Sequence, residues 1–338
     1  MKLLVLLTTW SLLALAAPAW AQDSDKPQIT QGAIEALQRA NAAVVGVQVR
    51  AAPGARSAES LGQRRQGSGV VIEQGLVLTI GYLMLEADGI QIVTQDNRIV
   101  PATPVGYDLA TGFGLLRPLL PLPGVTPVPL GSHSGLAEGE ALMAAVGGEG
   151  GGVALTRLVS KRPFSGYWEY HIEAALFTSP PVQNHSGAPL FNQRGELLGI
   201  GSLFVTDALG GERRLPGNMF VPVDLLKPIL AEMQQTGSSR QSRRPWLGLT
   251  STEQGGRVSV VRVNKDSPAA ASGLQPGDVV LAVDGTKVAT LETFYKAVWA
   301  RPDPEAEITL IVLQGSEIRS IVVKSVDRMT TMTKPAGI

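Results

Sequence analysis

The stretch VSVVRVNKDSPAAASGLQPGDVVLAVDGTKV, residues 258–288, decides the fold of the C-terminal part of this chain. Its two Val-rich runs predict strands, because β-branched residues favour extended backbone. The run SPAAASG between them predicts a short helix, and Gly277-Asp278 and Asp284-Gly285 predict turns. With the helical run LETFYKAVWA that follows, residues 246–326 are expected to form one compact unit of strands and two helices.

This unit resembles a PDZ domain of the bacterial protease type, because PWLGL (245–249), SPAAASGL, QPGDVVLAVDG and a second helix occur in that order. In such a domain a Gly-containing turn lets backbone N–H groups converge on the terminal carboxylate of a peptide, which adds a strand to the neighbouring sheet edge. The resemblance implies a carboxylate loop and a groove wall, formed respectively by Leu247, Gly248 and Leu249 and by Leu291, Phe294 and Val298. The alternative for the three helix residues is that they only fill the domain core.

Upstream of this unit, SSRQSRRP at residues 238–245 has the composition of a linker. Residues 42–237 contain a series of strand-like runs separated by Gly, Pro, Asn and Asp, beginning with AAVVGVQVRA. This spacing predicts an all-β sandwich or a pair of barrels. A helical run, VDLLKPILAEMQQTG, closes the segment.

Residues 42–237, which precede the PDZ-like unit, resemble the protease domain of the HtrA/Deg family. The resemblance rests on GSGVVIEQGLVLT (67–79) and NMFVPVDLLKPIL (218–230). The resemblance covers most of the chain. It implies a mostly β fold, a trypsin-like double six-stranded β-barrel at 42–237 followed by one α+β PDZ domain at 246–326, with a C-terminal tail at 327–338. It also implies homotrimers that form through the protease domain.

Active members of that family carry three motifs, Leu-Thr-Asn-Asn-His-Val-Val, Thr-Asp-Ile-Ala-Leu-Leu and Gly-Asn-Ser-Gly-Gly-Pro-Leu. Here the first reads LTIGYLM, so that Tyr82 stands at the histidine position, and the second reads TGFGLL, with Gly112 at the aspartate position. The third reads NHSGAPL, which keeps Ser186 but has Asn184 at the oxyanion-hole glycine. By this resemblance only the nucleophile of the triad is retained.

The chemistry of the triad makes these replacements important. A serine hydroxyl is a weak nucleophile until a base takes its proton and a third group orients that base. The phenol of Tyr82 is a neutral donor at pH 7, and Gly112 has no side chain to orient anything. Asn184 tolerates left-handed backbone better than most residues, so the turn before Ser186 can keep its shape. The sequence therefore favours an inactive protease domain.

The chain has 3 histidines that could replace the missing base, His133, His171 and His185. His185 adjoins Ser186, but neighbouring side chains in extended backbone point apart. A metal site built on His171 and His185 lacks paired-ligand spacing or a carboxylate cluster in the sequence. We therefore expect no metal and no cofactor, and we treat a rewired Ser–His pair as the alternative.

Composition and the N-terminus set the location. With 29 basic and 29 acidic side chains, the chain has no field that would attract nucleic acid or an anionic membrane, and without cysteine it forms no disulfides. Residues 1–21 resemble a cleavable export signal ending in Ala19-Trp20-Ala21, followed by an N-terminal segment at 22–41. The expected location is the periplasm, with no further membrane segment; an uncleaved anchor is the alternative.

Three functions are compatible with these observations. The first is an exported pseudoprotease that binds peptide or protein C-termini through its PDZ domain as a scaffold, chaperone or regulator. The second is a periplasmic serine endopeptidase with a non-standard active site. The third is a metal-binding accessory protein that uses His171 and His185.

Overall fold

The computed structural model describes residues 30–211 and 214–332. The expected export signal at residues 1–21 lies outside the described residues. A helix, α1 (Gln31–Ala42), opens the described chain, and the Thr30 side chain caps it by accepting a hydrogen bond from the Ala33 N–H. It leads directly into the first strand.

The first barrel is a closed sheet of six antiparallel strands in the order β1-β2-β3-β6-β5-β4. Their Val-, Ile- and Leu-rich sequences suit strands with one face in a core. The strands are β1 (Val44–Ala51), β2 (Arg64–Val71), β3 (Val77–Ile80), β4 (Ala87–Val93), β5 (Ile99–Tyr107) and β6 (Phe113–Pro118). A short helix, α2 (Ala58–Leu61), lies between the first two, and a 3₁₀ turn at Gly81–Met84 follows β3.

The second barrel repeats this architecture in the order β10-β11-β12-β9-β8-β7. Its strands are β7 (Ala141–Val146), β8 (Gly152–Gly166), β9 (Tyr170–Ser179), β10 (Pro189–Phe191), β11 (Leu197–Val205) and β12 (Gly217–Pro222). The helix α3 (Leu230–Thr236) follows it. Buried residues from both barrels join in one large apolar cluster, and other buried residues of the second barrel form a smaller one. The expected double six-stranded barrel is confirmed.

The C-terminal unit has its own apolar cluster, which includes the buried Phe294 and Tyr295. Its main sheet runs β14-β15-β16-β18-β19, with β17 paired to β16, and a separate pair joins β13 to β20. The strands are β13 (Pro245–Trp246), β14 (Leu249–Gln254), β15 (Arg257–Val263), β16 (Val279–Val283), β17 (Thr286–Lys287), β18 (Glu307–Gln314), β19 (Glu317–Lys324) and β20 (Val326–Asp327); the helices are α4 (Pro268–Ala271) and α5 (Leu291–Val298).

The segment between barrels and C-terminal unit is anchored through one buried carboxylate. Asp108 Oδ1 accepts hydrogen bonds from the hydroxyls of Ser239 and Ser242, each at 2.5 Å, and from the Ser239 N–H at 3.0 Å. Asp108 Oδ2 accepts from the Thr111 N–H at 2.9 Å and its hydroxyl at 2.7 Å. Residues 238–245 have the composition of a linker, but these hydrogen bonds hold their backbone against the first barrel.

Within the described residues, no helix combines the length and apolar character needed to cross a membrane.

Candidate functional site

Ser186 lies in the loop before β10, where the second barrel faces the first. Its backbone carbonyl accepts a hydrogen bond from the Ser68 N–H of β2 at 2.8 Å, which ties the loop to the first barrel. Asn184 has φ 55°, the left-handed conformation that the sequence suggested for this position. Gly187 has φ 76°, and a Cβ there would lie 2.0 Å from the Ser68 carbonyl oxygen, so only glycine fits.

Tyr82 extends from the 3₁₀ turn after β3 across the barrel interface. Its phenol donates to Ser186 Oγ at 2.6 Å and lies 3.0 Å from the Ser202 carbonyl oxygen. Burial raises the pKa of Tyr82, and the hydrogen bond with Ser186 opposes this only in part. At neutral pH the phenol therefore keeps its proton and acts toward Ser186 as a donor, the reverse of what a general base does.

The space beside Gly112 is occupied by the side chain of Tyr170. A Cβ at this position would lie 3.2 Å from the phenol oxygen of Tyr170, and Gly112 has φ 85°. The Tyr170 hydroxyl donates to the Thr111 carbonyl at 2.6 Å, and burial raises the pKa of Tyr170. An aspartate at 112 would meet both a strained backbone and this phenol.

None of the three histidines serves as a base for Ser186. His133 Nδ1 lies 2.6 Å from Asp224 Oδ2, so His133 is a paired residue and only partly exposed. His171 Nδ1 lies 2.9 Å from the Ser165 hydroxyl. Burial lowers the pKa of His185, which leaves its ring neutral at pH 7. Within the described residues, which include all three rings, none hydrogen-bonds to Ser186.

The expected carboxylate loop does bind a carboxylate, and that carboxylate belongs to this chain. The N–H groups of Gly248 and Leu249 donate to Glu169 Oε1, each at 2.8 Å, and the Leu247 N–H donates to Oε2 at 3.1 Å. Burial raises the pKa of Glu169, while the N–H groups of Leu249 and Leu247 act in the opposite direction. Gly248 has φ 87°, and a Cβ there would lie 2.2 Å from Ser267 Cβ, so this turn requires glycine.

The proposed groove wall lies largely inside the C-terminal unit. Leu291, Phe294 and Val298 are 7%, 0% and 2% exposed and belong to the apolar cluster of that unit. Leu291 also borders a cleft between β14, α5 and the end of β8. Phe294 and Val298 have the burial of core residues, in agreement with the alternative that these side chains fill the domain core.

One group of residues has the types and spacing of metal ligands. Among the described residues it comprises His171, Glu173 and Glu292, whose ligand atoms lie within 4.8 Å of one another. His171 Nε2 is buried and lies 3.5 Å from a Glu173 carboxylate oxygen. The Lys296 ammonium lies 2.8 Å from a Glu173 oxygen and 2.6 Å from a Glu292 oxygen, so the cluster already contains a cation. His185 is not part of it.

Four residues that sequence reasoning did not single out hold these sites together: Glu169, Asp108, Tyr170 and Tyr295. No motif identified them, because each acts on a residue distant in sequence. Glu169 contacts Leu247 across 78 positions, and the Tyr295 hydroxyl donates to the Gly166 carbonyl across 129. The only sequence signal was a carboxylate between aromatic residues in YWEYH, which does not specify a partner.

Comparisons with known proteins agree with this fold. Residues 67–200 match the family model of the trypsin-like peptidase domain, and residues 245–324 match that of the PDZ domain. A probable periplasmic serine endoprotease, DegP-like, of Halomonas elongata is 28% identical over 300 residues, which are 82% of this chain and 60% of that protein. The serine endoprotease DegS of Escherichia coli is 28% identical over 283 residues, 79% of this chain and 78% of that protein.

Two solved structures share the fold. The HtrA-type protease AlgW with tripeptide superposes with a TM-score of 0.55 at 22% identity, covering 90% of this chain and 98% of that one. The serine endoprotease from Yersinia pestis gives 0.52 at 24% identity, covering 87% and 97%. This chain spans 60% of the length of the Halomonas relative, and 49% of a further DegP-like relative from Pseudomonas putida that is 30% identical to it.

Proposed function

This chain belongs to the HtrA family, with a trypsin-like domain followed by a PDZ domain, and from that membership we propose that it is a periplasmic pseudoprotease. In this proposal the protein binds the C-terminal tails of peptides or proteins through its PDZ domain and serves as a scaffold, chaperone or regulator. The periplasmic location is supported by the names of its relatives and by the signal-like residues 1–21.

The observation that carries the proposal is the hydrogen bond from Tyr82 to Ser186 Oγ, 2.6 Å long. A base at this place would accept the serine proton, whereas a neutral phenol donates its own. Gly112 aligns with the aspartate of the triad, and the Tyr170 side chain lies beside it. A histidine introduced near Ser186 would therefore have no carboxylate to orient its imidazole ring. Without activation, the Ser186 hydroxyl stays a weak nucleophile.

The test compares the full chain with its Ser186→Ala variant, using unfolded casein as substrate and a fluorophosphonate probe that labels activated serines. We expect the same background cleavage from both proteins and no labelling of either. Cleavage or labelling that requires Ser186 would reject the proposal in favour of a serine endopeptidase with a non-standard site. A trypsin sample in the same assay shows that substrate and probe are competent.

The binding half of the proposal is tested with fluorescein-labelled decapeptides that have random internal positions and end in Val, Leu, Ile or Phe. We expect binding in the micromolar range, typical of one added strand of modest area, and its loss when the terminus is amidated. Equal binding of free and amidated pools would reject the assignment of Leu247, Gly248 and Leu249 as the carboxylate loop.

Homotrimers formed through the barrels are also part of this proposal, since the family resemblance implies them. Three linked grooves would add avidity to a weak single contact. Sedimentation equilibrium of the purified protein measures this directly, and a monomer at micromolar concentration would remove trimerisation from the proposal.

A further inference from the structure

The turn between β8 and β9, residues 166–169, lies against the C-terminal unit in the manner of a bound peptide. Its Glu169 carboxylate receives the three N–H groups of the carboxylate loop, at 2.8, 2.8 and 3.1 Å. These are the groups that a peptide C-terminus would need. Glu169 is 6% exposed, so its carboxylate is removed from water and depends on those donors.

The backbone of the same turn uses the strand edge beside the loop. The Ser251 N–H of β14 donates to the Tyr167 carbonyl at 2.9 Å. β14 is the outermost strand of its sheet, so this edge is the one on which an added strand would form. Tyr167, which makes the strand contact, and Glu169, which supplies the carboxylate, are two residues apart. An extended peptide ligand would show the same spacing, because alternate residues of a strand face the same side.

The helix on the other side of the groove holds the turn as well. The Tyr295 hydroxyl of α5 donates to the Gly166 carbonyl at 2.7 Å and accepts from the Glu169 N–H at 3.3 Å. β14 and α5 therefore both bind the turn, one from each side. No part of this arrangement involves Ser186 or Tyr82.

We propose that residues 166–169 are an internal ligand of the PDZ groove, with Glu169 in the place of a peptide's terminal carboxylate. An external tail must displace the turn before it can bind, because both need the same three N–H groups. This inference deepens the proposed function and rests on it for the identity of the competing ligand. Glu169 itself has φ 58°, a conformation that non-glycine residues rarely adopt, so release of the turn also relieves backbone strain.

Competition of this kind lowers the apparent affinity for a tail by the fraction of molecules whose groove is open. The first measurement is therefore the affinity of the full chain for the free-carboxylate decapeptide pool, compared with that of Glu169→Ala. We expect the variant to bind at least about 10-fold more tightly, with Glu169→Gln between the two because its amide keeps one acceptor oxygen but no charge.

The matched control is Glu173→Ala. Glu173 lies on β9, just after the turn, and contacts α5 through Lys296 at 2.8 Å, but its side chain is exposed and touches none of the three N–H groups. General loosening of the contact between barrel and C-terminal unit would raise affinity in both variants equally, and that result would overturn the proposal. An unchanged affinity in Glu169→Ala would also overturn it, while leaving peptide binding itself in place.

A second measurement needs no external ligand. Hydrogen exchange of the backbone amides in residues 245–254 reports whether Glu169 protects them in the full chain. We expect exchange at Gly248 and Leu249 to become at least about 10-fold faster in Glu169→Ala and to stay unchanged in Glu173→Ala. Unchanged rates in both variants would overturn the proposal.

The two measurements separate the inference from the proposed function. If Glu169→Ala loses amide protection but neither protein binds any peptide pool, the internal ligand stands and tail binding fails. If both proteins bind the pool equally and protection is unaltered, tail binding stands and the internal ligand fails. Circular dichroism of each variant shows that the measured protein is folded.

Discussion

Tyr82 Oη and Ser186 Oγ, on opposite barrels, are joined by a hydrogen bond of 2.6 Å. The Tyr82 phenol is therefore a hydrogen-bond donor toward the hydroxyl that an active serine protease would deprotonate. The Ser202 carbonyl oxygen, 3.0 Å away, lies within hydrogen-bond distance of the same single O–H group. The site is a closed polar contact between the two barrels.

Replacing Tyr82 by histidine alone is not expected to create a protease. Gly112 supplies no carboxylate, and Tyr170 occupies the space from which one would act, so the new imidazole would lack the group that orients it. The measurement is casein cleavage by Tyr82→His, with Tyr82→His combined with Ser186→Ala as the control. Faster cleavage by the single variant than by the control would contradict this expectation.

The Tyr82→Phe variant tests the structural value of the phenol. Removal of the hydroxyl removes the hydrogen bond with Ser186 and the polar contact with the Ser202 carbonyl, so the free energy of unfolding should fall by about 1–2 kcal/mol. Urea unfolding measures the change. Tyr167→Phe is the matched control, because the Tyr167 side chain is 60% exposed, and its stability should stay within about 0.5 kcal/mol of the parent.

The stability that Asp108 provides by holding residues 238–245 should depend on pH. Burial alone would raise the pKa of Asp108, but hydrogen bonds from Ser239, Ser242 and Thr111 outweigh burial and hold this pKa below its usual value. Since the folded pKa is the lower one, the stabilisation is present above the unfolded pKa of about 4 and is lost as the pH falls further through the folded pKa.

Asp108→Asn should therefore lower the free energy of unfolding by about 3 kcal/mol at pH 7, because an amide presents an NH₂ group to one set of donors. The difference from the parent should shrink in unfolding curves measured below about pH 4. Asp88→Asn, which affects an exposed ion pair with Arg50, is the control and should change little. A constant difference across this pH range would show that ionised Asp108 is not responsible.

Substitution of Phe294 tests whether this side chain belongs to the core of the C-terminal unit or to its peptide groove. Phe294 is fully buried, so Phe294→Ala should cost the C-terminal unit about 3–5 kcal/mol, through lost burial and the cavity left behind. Thermal unfolding is the measurement, and Val261→Ala on an exposed strand position is the control. Weaker peptide binding by Phe294→Ala at unchanged stability would instead place this ring in the groove.

Local patterns were sufficient to predict the architecture. The strand-like runs and their Gly, Pro and Asn separators predicted an all-β sandwich or a pair of barrels, the family resemblance favoured the barrels, and the ordered segments of residues 245–300 predicted the PDZ-like unit. Both predictions are confirmed. Such signals are readable from sequence because strand periodicity, turn chemistry and motif order are properties of neighbouring residues.

The sequence also identified the side chains that the family resemblance aligns with the three triad positions, since a motif comparison needs no coordinates. Tertiary structure alone decided what those side chains do: that the Tyr82 phenol donates to Ser186, that Tyr170 borders Gly112, and that Glu169 fills the carboxylate loop. The reason is physical. Each of these contacts joins residues separated by 58 to 104 positions, and a hydrogen bond between such residues exists only after the barrels and the C-terminal unit have packed together.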